Sequence, residues 1–400
     1  MATNAIAPAL ATARESAAPS VSVVMPCLDE EATVGVCVAK AREWLRRSAV
    51  PGEVIVVDNG STDRSVELAE AAGARVVHER RRGYGQAYLR GFAEARGDFV
   101  VMGDSDDTYD FTDLSRLIEP LKHGADMVIG NRFAGGISPG AMPWAHRYIG
   151  SPVINFVIRL FFGTRIGDSQ SGLRAFRRTI ADDLRLRSAG MELASEMIVS
   201  AARAGLRIAE VPASYNVRRG ESKLNTLRDG WRHVRYLLVA APDFLFTVPG
   251  LLMVLAGLLA TGVSFAAPAG IQLGALTWQP VFAGTILTAI GVNALLFGVV
   301  AKLYGFSRGL VKEDRWLRLY RRWFRLEPLL GLASASFIVG VAIEVLLLAV
   351  WTSGAEGGHL QLAALAQTLL IVGAELGMTG FLAMTVAAPD VAAPDPARDQ

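Results

Sequence analysis

The chain has 400 residues, 52% of them hydrophobic, and a mean hydropathy of +0.33. That is too long for one ordinary domain and too apolar for an ordinary soluble protein. The 40 Lys and Arg nearly balance the 38 Asp and Glu, leaving a formal net charge of +2, so no basic excess makes nucleic acid an expected partner. The cysteine count of 2 and the lack of any Cys/His metal spacing exclude a disulfide scaffold and a zinc site; Cys27 and Cys37 read as reduced thiols in a cytosolic domain.

Residues 1–20 are rich in Ala and Pro and lack a basic segment before an apolar core, so they read as a mobile tail rather than a signal peptide. Residues 21–25, 53–58, 74–79, 99–102 and 127–130 then read as buried strands, with helical patterns at 30–47, 63–72, 85–95 and 111–122 between them. Asp63 follows the turn Asn59-Gly60-Ser61-Thr62 and is placed to cap the second helix. Alternation of this kind predicts an α/β domain with a mostly parallel sheet covered on both faces. Ligands of such sheets gather at the carboxyl ends of the strands. The segments 26–30, 58–63 and 104–107 all fall there, so three polar loops are expected to converge on one crevice.

A helix at 190–204 and a last strand at 207–215 close this domain, which is expected to span 21–224. Residues 225–243 mix Arg228, Arg232, His233 and Arg235 with Leu227, Trp231, Tyr236 and Leu237, the pattern of an amphipathic helix lying in a membrane interface. A membrane domain is expected over 244–388, with four spans near 244–265, 280–300, 329–351 and 360–385, each about the roughly twenty residues a bilayer requires. The connection between the second and third spans carries Lys302, Arg308, Lys312, Arg315, Arg318, Arg321, Arg322 and Arg325, whereas the loop at 266–279 has no charge. The positive-inside rule therefore puts that connection, both termini and the first domain in the cytoplasm. Trp316, Tyr320 and Trp323 among those arginines suggest a second interfacial helix at about 305–327. Residues 389–400 form a short polar tail. Glu344 and Glu375 lie inside spans, where an acid is either functional or an interior hydrogen-bonding group; the second reading is preferred here, because neither has a cationic partner within the spans.

The most telling segment is Asp98-Phe99-Val100-Val101-Met102-Gly103-Asp104-Ser105-Asp106-Asp107. A buried strand runs into carboxylates two residues apart, an oxygen-rich pair suited to Mg²⁺ or Mn²⁺ held against phosphates. Asp58 ends the second strand and Glu30 follows the first, where they could meet a base or ribose. No G-x-G-x-x-G follows the first strand, which argues against a nicotinamide cofactor. Arg132, Arg147, Arg174 and the run Arg218-Arg219-Gly220-Glu221-Ser222-Lys223 supply forks and point charges for phosphate oxygens. The last run reads equally as a basic patch drawn to lipid headgroups.

Taken in order, Pro26-Cys27-Leu28-Asp29-Glu30-Glu31, Val57–Asp63, Gly83-Tyr84-Gly85, Asp104-Ser105-Asp106, Gly130-Asn131-Arg132, Asp168–Arg174 and Arg218–Lys223 resemble the glycosyltransferase family 2 enzymes of GT-A fold, and among them the polyprenyl- or dolichyl-phosphate hexose synthases. The resemblance implies a nucleotide-sugar donor of the GDP-mannose or UDP-glucose type and a polyprenyl phosphate acceptor. It assigns Pro26, Leu28, Glu30, Asp58, Gly85, Asp104 and Ser105 to the donor and Asp104 and Asp106 to the divalent ion. Arg132, Arg147, Ser151, Arg218, Ser222 and Lys223 go to the donor and lipid phosphates, with Asp104, Asp106, Arg132 and Arg174 as the catalytic set. Two departures stand out: Thr108 replaces a Gln that relatives often carry, and Asn59 replaces a second acid. A polysaccharide synthase is a competing reading, but such enzymes usually carry Q-x-x-R-W, and here Leu319 precedes Arg322-Trp323. A nucleotide-sugar-binding scaffold and a transporter are further alternatives.

Overall fold

The computed structural model describes residues 20–220, 226–307, 317–320, 326–354 and 359–387. The tails, Ser222, Lys223 and most of the expected second interfacial helix lie outside the described residues. The chain divides into two units, Met1–Leu237 and Leu238–Gln400.

The first unit is built on a seven-stranded sheet: β1 Val21–Cys27, β2 Gly52–Asp58, β3 Arg75–His78, β4 Phe99–Met102, β5 Met127–Asn131, β6 Arg174–Arg177 and β7 Ile208–Pro212. Their order is β3-β2-β1-β4-β6-β5-β7. All pairings are parallel except those of β6, which runs antiparallel between β4 and β5. This mixed, mostly parallel arrangement is the GT-A-like architecture. The strands are apolar on both faces because both are covered. Val23, Met25, Val54, Val56 and Val101 join one core with Val38, Ala41 and Trp44 of the Val34–Arg47 helix. The alternate residues Val24, Ile55, Val57, Val100 and Met102 join a second core with Tyr88, Phe92, Leu193 and Met197.

β6 and the helix Ser151–Phe162 were not anticipated. The β6 segment Arg174–Arg177 is only four residues long and carries an Arg at each end, so its own sequence shows little strand pattern. Its neighbours complete it: Phe176 packs into the second core, and Arg177 donates to the carbonyls of Ala125 and Leu121. Asp63 sits at the start of the Ser65–Ala71 helix and accepts from the Ser65 N–H at 2.9 Å. Cys27 and Cys37 are both buried free thiols; burial pushes them up to about 11 and about 12 respectively, so they stay protonated.

The second unit holds four helices long and apolar enough to cross a membrane: Asp243–Ala266, Pro280–Ser307, Leu326–Thr352 and Leu360–Val386. A hairpin of Ile271–Leu273 and Leu276–Trp278 occupies the first connection, where sequence showed only an uncharged loop. Lys302, expected to open the basic connection, instead lies within the second helix and pairs with Asp243 at 2.7 Å. Asn293 donates to Glu375 at 3.1 Å, an interior hydrogen bond of the kind expected for an acid without a cation. The first two helices meet through glycines seven residues apart. A Cβ on Gly250 would come within 2.9 Å of the Gly291 carbonyl oxygen, and one on Gly257 within 2.6 Å of the Thr288 nitrogen. Backbones approach this closely only where side chains are absent, which is how apolar helices gain contact without a hydrophobic drive between them.

Gly257→Leu should therefore force these helices apart and lower stability by about 1–3 kcal/mol. Gly262→Leu, with nothing within 4 Å of its Cβ position, should leave it unchanged. Thermal unfolding of both variants in detergent checks the contrast.

Candidate active site

β1 lies between β2 and β4 in parallel register, with Cys27 opposite Asp58 and Val24 opposite Met102. The loops leaving these three strands therefore start side by side. Asp58 is fixed by its own turn: its carboxylate accepts from the Gly60 and Ser61 N–H groups at 3.2 and 2.8 Å and faces His78 Nδ1 at 3.1 Å. Burial opposes its ionisation, but these bonds outweigh burial and hold the carboxyl below its ordinary range. Gly60 takes φ +90° to let the turn close.

Asn59 ties this loop to the next. Its Nδ2 donates to the carbonyls of Glu79 and Arg81, both at 2.9 Å, and its Oδ1 accepts from the Gly83 N–H at 2.8 Å. An acid could not make the two donations, which is a physical reason for the departure from an acidic pair. Gly85 opens the Tyr84–Glu94 helix beneath another loop, and a Cβ there would lie 2.0 Å from the Ser188 carbonyl oxygen. The close approach of that loop accounts for the glycine.

The β4 loop carries the acidic pair. Tyr84 and Tyr88, one helical turn apart, donate their hydroxyls to Asp104 Oδ1 at 2.9 and 3.2 Å. Burial and the charge of Asp106 push the Asp104 carboxyl up to about 6. Asp106 Oδ1 accepts from the Thr108 N–H at 3.1 Å and hydroxyl at 2.6 Å. Its other oxygen accepts from Arg218 at 2.7 Å, and the same guanidinium also bonds Glu30. Ser105 donates to the Pro26 carbonyl at 2.6 Å, which pins this loop to the end of β1, next to the half-buried Leu28. Glu30, Asp106 and Arg218 thus form one bonded group, with Pro26, Ser105 and Asp104 on the same loops. Asp107 pairs with Lys40 at 2.6 Å.

The remaining arginines are used otherwise. Arg132 is buried and grips Asp168 with two nitrogens, at 2.7 and 2.9 Å, while stacking on Tyr215. Its fork is engaged by that acid. Arg174 is fully buried and donates to the carbonyls of Ser169, Ser171 and Ala194, so it shapes the 168–172 loop. Arg147 lies over the Tyr148 ring, and Ser151 is buried at the start of its helix; among the described residues neither bonds to the acidic group. Tyr84, Tyr88, Thr108, Tyr109 and Tyr215 were missed as site residues. Only the i, i+4 spacing of Tyr84 and Tyr88 signalled a shared face.

A hard cation fits this donor set. One oxygen of Asp106 already attracts a guanidinium. Asp104 Oδ2 is approached so closely at Gly172 that a Cβ there would lie 2.5 Å away. Among the described residues no group of three or more His, Cys, Asp or Glu forms a cage, so Asp104 and Asp106 could anchor such an ion only with phosphate or water completing its shell.

Asn59→Asp should cost about 2 kcal/mol, because the buried Glu79 carbonyl and the half-buried Arg81 carbonyl lose their donor. Chemical denaturation of the full chain checks this, with Asn59→Gln as a comparison that keeps the amide.

The chain matches Glycosyl transferase family 2 over residues 22–185 and the Glycosyltransferase family 2 C-terminal transmembrane region over residues 299–387. It is 36% identical over 379 residues to the low-salt glycan biosynthesis hexosyltransferase Agl6 of Haloferax volcanii, covering 93% of this chain and 90% of that protein. A dolichyl-phosphate hexose transferase of the same organism is 32% identical over 209 residues, covering 52% of this chain and 88% of its own. The glucosyl-3-phosphoglycerate synthase of Mycobacterium tuberculosis, solved with Mn²⁺ and UDP-glucose, covers 60% of this chain and 84% of its own at 27% identity, with a TM-score of 0.45. By its likeness to Agl6 along nearly its whole length, and by the two family segments in their order, the chain belongs to glycosyltransferase family 2 and is a membrane hexosyltransferase.

Proposed function

We propose that this hexosyltransferase moves a single hexose from a nucleotide-sugar to a polyprenyl phosphate. The observation that carries the reading is the acidic group at the ends of β1 and β4, Glu30, Asp104 and Asp106, compensated by one guanidinium, in a chain that also has four membrane-length helices. The name of the dolichyl-phosphate hexose transferase relative supports the same acceptor class.

Asp58 and Glu30 would meet the base and ribose. Asp104 and Asp106 would hold Mg²⁺ or Mn²⁺, which would neutralise charge on the departing diphosphate. Arg218, now on Asp106 and Glu30, carries a fork that a phosphate oxygen would also accept. The acceptor phosphate is ionised at neutral pH and needs no general base. Its oxygen would form a bond to the anomeric carbon as the carbon–oxygen bond to the diphosphate breaks, the electron pair leaving on the β-phosphate oxygen. One displacement inverts the anomeric configuration. Positioning of two charged reactants and stabilisation of the leaving group supply the catalysis. By the positive-inside rule, the Arg-rich stretch of the sequence supports a catalytic unit on the cytoplasmic side of the membrane.

Purified protein given polyprenyl phosphate, Mg²⁺ or Mn²⁺ and a panel of nucleotide-sugars should yield a lipid-extractable, singly glycosylated phosphodiester by mass spectrometry. A long polymer instead would favour a polysaccharide synthase. Asp106→Ala should reduce the lipid product at least about a thousandfold, comparable to losing a major electrostatic stabiliser.

A further inference from the structure

The loop 168–172 runs past the oxygen of Asp104 that a cation would need. Tyr84 and Tyr88 both donate to Asp104 Oδ1, which leaves Oδ2 for the ion. Gly172 packs against that oxygen: a Cβ there would lie 2.5 Å from Oδ2 and 3.3 Å from the Tyr84 hydroxyl oxygen. The room beside Oδ2 is therefore set by where this loop stands.

Side chains from several elements hold the loop almost residue by residue. Arg132 grips Asp168, Asn155 accepts from the Ser169 N–H and hydroxyl, and Tyr109 accepts from the Gly172 N–H. Gln170 is fastened to a different part of the unit. Its Nε2 donates to Ser195 Oγ at 3.1 Å, and Ser195 Oγ shares a 2.9 Å bond with His233 Nδ1. Ser195 lies on the Leu193–Arg203 helix and His233 on the Thr226–Ala240 helix. Both side chains are buried. His233 and Leu237 form a buried row at i and i+4 of their helix, while Trp231, Arg232 and Arg235 are exposed. An imidazole on the seating face of a helix costs free energy unless it is bonded, and here its partner leads to Gln170.

We infer that Ser195 and His233 are positioning residues for the cation at Asp104. The chain His233–Ser195–Gln170 fixes the 168–172 loop, and with it the space at Asp104 Oδ2. Among the described residues neither Ser195 nor His233 bonds to Asp104 or Asp106, so both act through the loop. Support of this kind works by geometry, since a site holds its ion well only when the surrounding groups are locked to within about 0.5 Å. A satisfied buried network supplies that lock, and removing one member leaves the others without a partner. This inference rests on the reading of Asp104 and Asp106 as anchors of the ion, and it adds the residues that set their surroundings.

The test is Mn²⁺ binding to full-length protein in zwitterionic nanodiscs, followed by electron paramagnetic resonance, with Mn²⁺ alone and with added UDP or GDP. His233→Leu should raise the Kd for Mn²⁺ about tenfold, the scale on which outer supports act on a metal ligand. His233→Asn, whose amide can take either side of the bond to Ser195, should recover most of the loss. Ser195→Ala should match His233→Leu, and the double variant should lose little more, because both break one chain. Hydrogen exchange should quicken in peptides covering 168–174 and stay unchanged in those covering 58–61. Leu45→Ala is the control for general loosening, because Leu45 is buried beside Gly52 at the far end of β2 from Asp58. It should lower thermal stability and leave the Kd for Mn²⁺ unchanged. Equal weakening of Mn²⁺ by Leu45→Ala would overturn the inference, and so would additive losses in the double variant. If Asp106→Ala abolishes Mn²⁺ binding while the His233 and Ser195 variants bind as wild type does, the inference falls alone. If the wild type binds no Mn²⁺, the metal reading falls and takes the inference with it.

Discussion

Two carboxylates two residues apart, at the end of a buried strand, repel each other and lack the water that would screen them. The surroundings of Asp104 and Asp106 answer that constraint. Two tyrosine hydroxyls turn to Asp104, Thr108 gives both its donors to Asp106, and Arg218 arrives from more than a hundred residues away to neutralise Asp106 and Glu30. Even so, Asp104 stays harder to ionise than an ordinary aspartate. A site whose acids call for cationic compensation is one that suits a cation.

Around this group lies a second tier of buried polar contacts that holds the loops. Asn59 bridges the β2 and β3 ends, the Arg132–Asp168 pair ties the β5 end to the loop before β6, and Arg174 gathers three carbonyls of the neighbouring segments. Each group is satisfied, which is what makes a polar network worth burying. The membrane unit obeys the opposite economy. Its first two helices dispense with side chains at Gly250, Gly257, Gly284 and Gly291 so that their backbones meet, and Asn293 bonds Glu375 while Lys302 bonds Asp243.

The periodic parts of the chain were readable directly. Runs such as 53–58 and 99–102 alternate into two cores, so continuous apolar strands separated by amphipathic helices specified a covered parallel sheet, and four long apolar stretches specified membrane-length helices. The acidic pair was legible too, because its position after a buried strand is a local fact. β6 was not: its four residues carry little pattern of their own, and pairing with β4 and β5 decides that they are a strand.

The sequence by itself determined which residue types stand at the strand ends, since local pattern sets strand, turn and helix. Only the tertiary structure decided what those residues touch. Arg132 and Arg174 read as phosphate ligands by type, yet the folded chain spends one on Asp168 and the other on carbonyls, whereas Arg218 reaches Asp106. A guanidinium takes whichever acceptors the fold brings within about 3 Å, and contacts between residues tens of positions apart leave no periodic trace in the chain.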